Sequence, residues 1–245
     1  VNWNGLYIGA AVGYGIASTE LDARLEEWDW EYPDDYELDS FVAGNLDGLS
    51  SKGFQGVLTL GYDRQIHSNF LVGVFADYAF GDLETNASVS FGDEDFALGG
   101  RLNAEISNSW AIGARLGYIH SPSTMWYLTA GYAQADLDWK ITGFVEIEGD
   151  SESGVIGSGG KSLSGWFIGG GVEHQLRDNL FIKLDYRYTN YDTERLLSAD
   201  WEEYDGPDQF HAHLDSQTDV HTVRLGVNWK VDLFHGRHAH SEPLK

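Results

Sequence analysis

Cysteine is absent from the 245 residues, which excludes disulfides and any cysteine-based metal centre and is compatible with an oxidising compartment. Only 4 prolines occur, so few positions are barred from a hydrogen-bonded ladder. Positive charge is scarce: 15 Lys and Arg stand against 39 Asp and Glu, a formal net charge of -24. That balance argues against nucleic acid as a partner, because phosphate neutralisation needs basic residues. No apolar run approaches the roughly 18 residues of a spanning helix. Mean hydropathy is -0.32, so a helical membrane protein is not indicated. The chain starts at Val1, and its only methionine is Met125. The expectation is that a secretory signal has been removed.

What is present is glycine, 30 residues of it, and aromatic residues at 14%. The most informative stretch is 164–191, where two alternating runs flank the polar turn Arg177-Asp178-Asn179. Trp166, Ile168, Val172 and Leu176 share one face of the first run, and Leu180, Ile182, Leu184, Tyr186 and Tyr188 share one face of the second. Period two is the signature of a strand, since successive side chains leave opposite faces. The opposite faces carry glycines together with Glu173, Lys183, Asp185 and Arg187. A soluble barrel puts bulk inside and charge outside, and this pattern is the inverse. Lipid against the bulky face and a polar, charge-paired interior account for both.

The pattern recurs along the chain. Runs begin at Trp3, Gly53, Phe70, Ser109, Met125, Ser164, Leu180 and about Asp219. Short polar turns at 67–69, 120–124 and 177–179 alternate with long acidic or glycine-rich stretches at 18–52, 83–103, 140–163 and 192–218, which read as loops with uncertain edges. Short turns on one side and long loops on the other are the layout of a transmembrane barrel. The fold class is therefore all-β, an eight-stranded antiparallel up-and-down transmembrane barrel over residues 1–231, followed by a polar, histidine-bearing tail at 232–245. Because lipid cannot satisfy a bare edge, the first strand must pair with the last.

Several segments resemble the small outer-membrane β-barrel proteins of Gram-negative bacteria, the group with an OmpA-like membrane domain that includes surface antigens and hemin-binding proteins. They are Trp3-Asn4-Gly5-Leu6-Tyr7-Ile8-Gly9, Gly113-Ala114-Arg115-Leu116-Gly117-Tyr118, Tyr127 to Ala133, Gly165 to Tyr188, and Thr222 to Trp229. The resemblance implies a place in the cell outer membrane, among membrane lipid and lipopolysaccharide, and is nearly silent on activity. It also implies an inward acid where Phe75 stands and a terminal aromatic where Val231 stands.

Three constellations could carry function. The inward charges Asp63, Asp77, Arg115, Glu173, Lys183, Asp185, Arg187 and Arg224 must pair, because an unmatched charge at low dielectric costs several kcal/mol. They read either as a plug or as the lining of a narrow pore, and the small bore of about eight strands favours the plug. His211 and His213, with Asp208 and Asp215, form a candidate metal or haem cluster, although a solvated polar loop is the simpler reading of them. Trp28, Trp30, Tyr32 and Tyr36 lie among acids in the first long stretch, as a contact surface for a protein partner or as a charged fringe. No cofactor is implied. Enzyme signatures such as Gly-x-Ser-x-Gly, His-Glu-x-x-His and the phosphate loop are absent, and the expectation is a non-enzyme.

Overall fold

In the computed structural model, residues 2–31, 35–92, 96–147, 150–202 and 209–231 are described. They form β1 (Gly5–Glu31), β2 (Asp35–Gln65), β3 (Phe70–Gly92), β4 (Phe96–Ser121), β5 (Thr124–Ile147), β6 (Asp150–Arg177), β7 (Leu180–Glu202) and β8 (Gln209–Val231). Each strand pairs antiparallel with its neighbour in sequence, and β1 closes on β8 from Leu6 opposite Val231 to Trp28 opposite Gln209. Within the belt every strand is paired on both sides, which is what a strand protein needs in a solvent that cannot hydrogen-bond; beyond it the ring divides, because β2 and β3 pair no further than Lys52 opposite Glu84 and β6 and β7 no further than Gly165 opposite Tyr191.

Side-chain alternation follows the sequence. Val74, Leu128 and Leu225 point outward with 61%, 63% and 53% of their surface exposed, while inward Leu71 and Phe181 are fully buried. Aromatic residues bracket the aliphatic belt. Tyr62, Phe70, Tyr118, Trp126 and Trp229 lie toward the short turns, and Tyr14, Phe54, Tyr78, Trp110, Tyr132, Trp166 and Tyr186 lie toward the far end. Two such girdles about an apolar band are the outward signature of a membrane barrel.

The strands are longer than the alternation predicts. Most of the acidic stretches read as loops are paired strand: β1 and β2 pair from Leu21 opposite Leu46 to Glu31 opposite Asp35, with one register shift between Glu27 and Trp28. Beyond the belt neither face meets lipid, so the demand for one apolar face disappears while backbone pairing continues. Irregularities mark the change. Register shifts fall between Thr19 and Leu21, Phe80 and Leu83, Ile106 and Ser109, and Tyr191 and Glu194, all just past the outer girdle. Bulges collect at such rims. In β3 the bulge contains Gly81 at φ +132°, where a β-carbon would meet the backbone of β2.

The first strand also starts later than expected. Gly5, at φ +116°, lets the chain turn before the ladder begins, and Trp3 lies inside the barrel mouth at 2% exposure. Its Nε1 donates to the Pro122 carbonyl at 3.3 Å, and its ring lies 4.9 Å from that of Phe181. With Leu71, Ile119, Met125 and Tyr127 it forms an apolar layer at the end with the short turns. A second apolar layer, containing Leu83, Ala135, Leu163, Tyr191 and Val220, lies toward the outer end. The last described residue is Val231, at the end of β8, and Phe234 and the tail from 232 lie outside the described residues.

Placing a charge on the outward face should be costly. Val74→Arg, in the middle of the belt, is expected to lower the free energy of folding into lipid vesicles by about 2–4 kcal/mol. Urea titration of the vesicle-inserted protein measures this, and an unchanged midpoint would mean that the β3 outward face does not meet lipid.

Candidate functional site: the charged interior

Along β7 the inward residues read Phe181, Lys183, Asp185, Arg187, Thr189 and Tyr191, so the charges sit between the two apolar layers. All eight inward charges picked out in the sequence are buried there, and the structure adds Lys230. They divide into two tiers.

The tier nearer the short turns is built on Arg115 of β4. Its Nη2 donates to Asp63 Oδ2 at 2.6 Å and its Nη1 to Glu173 Oε2 at 2.8 Å, so one guanidinium joins β2 and β6 across the lumen. Lys230 of β8 donates to the same Asp63 oxygen at 2.7 Å and to the Trp3 carbonyl at 2.8 Å. Asn228 donates to Glu173 Oε2 at 3.1 Å. The Arg115 guanidinium also lies over the rings of Tyr7 and Tyr127, at 5.2 and 4.9 Å. Room for Asp63 comes from β3, because any β-carbon at Gly73 would collide with Asp63 Oδ1.

The second tier centres on Asp77 and Asp185. Asp77 Oδ2 accepts from Arg187 Nη2 at 2.5 Å and Arg224 Nη1 at 3.0 Å, and its Oδ1 accepts from the Thr59 hydroxyl at 2.7 Å. Asp185 Oδ1 accepts from Arg224 Nε at 2.5 Å, its Oδ2 accepts from the Tyr127 hydroxyl at 3.2 Å, and Lys183 Nζ lies 3.7 Å away. Arg187 is stacked between aromatics, with its guanidinium carbon 4.1 Å from the Phe167 ring centre and 5.7 Å from that of Phe75. At the position where the family resemblance implies an inward acid, Phe75 thus offers a π-face to a cation.

Among the described residues the buried charged side chains are four carboxylates and five cations, so the interior is close to neutral in a chain of net charge -24. The four buried carboxylates are a small part of the 39 acids of the chain. Pairing is dense but incomplete: Asp63 Oδ1, Glu173 Oε1, Arg115 Nε and Arg187 Nε are buried without a hydrogen-bond partner among the described residues. Period two already put Lys230 and Asn228 on the face of Arg224, a signal from which their place in the network could have been read. Tyr7, Tyr127 and Thr59 are neutral and gave no such signal.

The other constellations are not brought together. His213 and Asp215 lie on the outward side of β8, and Asp215 Oδ1 accepts from Arg195 Nε at 3.0 Å, which commits that carboxylate to a salt bridge. Asp208 lies outside the described residues, as does the side chain of His211. Among the described residues no three His, Asp or Glu side chains are grouped to hold a metal ion. Tyr32 is outside the described residues; Trp28 and Trp30 fall in β1 and Tyr36 in β2, with side chains that are not described.

A closed ring of eight antiparallel strands, apolar outside, girdled by aromatics and charged within, defines a transmembrane β-barrel. The chain belongs to the outer membrane protein beta-barrel domain family, whose model matches residues 1–230. It is 29% identical over 229 residues to a 31 kDa outer-membrane immunogenic protein of Brucella melitensis, covering 94% of this chain and 84% of that one. It is 24% identical over 234 residues to a 22 kDa outer membrane protein of Rhizobium leguminosarum, covering 94% and 78% respectively. Among solved structures it resembles the outer membrane protein OprG of Pseudomonas aeruginosa, with 13% identity, a TM-score of 0.47, and coverage of 93% of this chain and 97% of that one. The protein is an outer-membrane protein.

Removing one partner of a buried pair strands the other. Glu173→Ala is expected to cost about 3–5 kcal/mol of stability. Glu20→Ala, on the exposed side of β1, should stay within about 0.5 kcal/mol. Denaturant titration of both variants in one detergent gives the comparison, and equal losses would contradict the burial described for Glu173.

Proposed function

We propose that this barrel is a closed structural component of the outer membrane, its lumen plugged by paired charges and its acidic strand extensions exposed to the exterior. The observation that carries the reading is the order of layers along the lumen: Trp3 and Phe181, then two tiers of ion pairs with Phe75 and Phe167 packed on Arg187, then Leu83, Leu163 and Tyr191. A hydrated ion moving along that path meets two apolar layers and a set of charges already satisfied by one another. An open pore needs a continuous polar lining, whereas the interior of about eight strands is just wide enough for side chains to fill. The near-neutral interior supports the same reading, since a selective channel would present a surplus of one sign. Membrane lipid and lipopolysaccharide are the partners of such a barrel, and its acid-rich outer part would resist anionic partners and attract cationic ones.

The test is electrical. Purified, folded protein in a planar lipid bilayer is expected to show no steady conductance. Large, stable channels from the intact monomer would overturn the plug and make the barrel a pore.

A further inference from the structure

The buried charges of the second tier do not balance. Asp77 and Asp185 face Lys183, Arg187 and Arg224, two acids to three cations. In the tier nearer the short turns Asp63 and Glu173 face Arg115 and Lys230, two to two. Lys183 also stands opposite Glu173 in the register of β6 and β7, but Glu173 already holds Arg115. Sharing Lys183 between the tiers moves the surplus without removing it, since the two together hold four acids and five cations. The hydrogen bonds are uneven in the same sense. Asp77 Oδ2 is divided between two arginines, and Arg187 Nε is buried without a hydrogen-bond partner among the described residues. A buried charge with no counter-charge is costly at low dielectric, so the surplus calls for an anion.

Beside that arginine lies a cavity of about 50 Å³. One water needs only about 10–15 Å³. Arg187 and Arg224 line it, together with Thr189 and Thr222. The Thr222 oxygen accepts from Gln55 Nε2 at 3.4 Å, which leaves the Thr222 hydroxyl proton free to donate. Asp77 is the one carboxylate among the described residues of the lining, and both its oxygens are already engaged, by the Thr59 hydroxyl and by the two arginines. The lining also reaches the wall at Gly81 and Ser107, inside the facing irregularities of β3 and β4, so an ion can arrive without crossing the tier of Arg115.

We propose that the cavity beside Arg187 and Arg224 binds one chloride ion, with Arg187 Nε and the hydroxyls of Thr189 and Thr222 as donors. The surplus is a single charge, which a monovalent anion matches, and the small cavity suits a monatomic one. The proposal goes beyond the closed structural role above. Its readout is separate from conductance, because an ion held at Arg187 opens no path through the lower tier.

Urea unfolding in one nonionic detergent tests it, at fixed sodium concentration with chloride exchanged for gluconate. A ligand that binds only the folded state stabilises it by mass action, so about 100 mM chloride should raise the folding equilibrium constant of the wild type roughly threefold or more over gluconate. Thr189→Asp places a carboxylate in the cavity, two residues from Arg187 on the same face of β7. That variant should gain stability in gluconate and lose the response to chloride. Should it fail to fold, Arg187→Gln removes the surplus charge and should fold without any response to chloride. The chloride NMR line should be broadened by the wild type and not by the variant that folds. Equal stability of the wild type in the two salts would overturn the proposal and leave loss of the Lys183 proton as the way the tier balances. A chloride response or line broadening of the same size in the wild type and the variant would overturn it too, by placing the ion elsewhere.

Discussion

Hydrocarbon offers a backbone no hydrogen bonds, and the rest of this molecule follows from that constraint. Each strand must be paired on both sides, so β1 must meet β8, and it does so from Leu6 opposite Val231 onward. A ring of eight strands has a narrow bore, so the lumen fills with side chains. Large apolar side chains close the two ends of that lumen, as Trp3 and Phe181 do at one and Leu163 and Tyr191 at the other. Between them the interior is glycine, small residues, aromatic rings and charge, and at low dielectric charge must be matched.

Matching is achieved by sharing. Arg115 serves two acids, Asp77 serves two arginines, and Arg224 joins Asp77 to Asp185. Because partners come from different strands, each ion pair is also a brace across the bore. Lys230 shows this most clearly: it ties the end of β8 to Asp63 of β2 and to the carbonyl of Trp3, just ahead of β1. Strand closure, the aromatic stopper and the first charged tier are therefore joined at the mouth of the barrel. Arg187 is held differently, on one carboxylate and two aromatic faces, which replaces a second acid by the quadrupoles of Phe75 and Phe167.

The membrane belt was legible in the sequence because lipid and lumen impose opposite demands on alternate residues. That conflict writes Ile168 against Glu173 and Leu184 against Asp185 in a pattern with few alternatives. Past the outer girdle no lipid demands an apolar outward face and the pattern fades, so the paired extensions of β1 and β2 read as loops. The inward charges were legible by face, while their partners were not, since register across strands is set by closure of the whole ring. Arg115 could be placed inside from Gly113 and Gly117, but nothing local says that it meets Asp63 and Glu173. Trp3 has the parity of inward Gly5 and Tyr7, so its side was legible, while its place ahead of the ladder, against Pro122 and Phe181, follows from the turn at Gly5.

The claim on which the account rests is that the buried charges hold one another. A double-mutant cycle on Arg115→Met and Glu173→Met, by denaturant unfolding in a single detergent, tests it most directly. The account predicts that the double variant loses less stability than the sum of the two single ones, by about 1–3 kcal/mol, because each single change leaves a charge unmatched. Additive losses within about 0.5 kcal/mol would show that the two groups do not depend on each other and would contradict it.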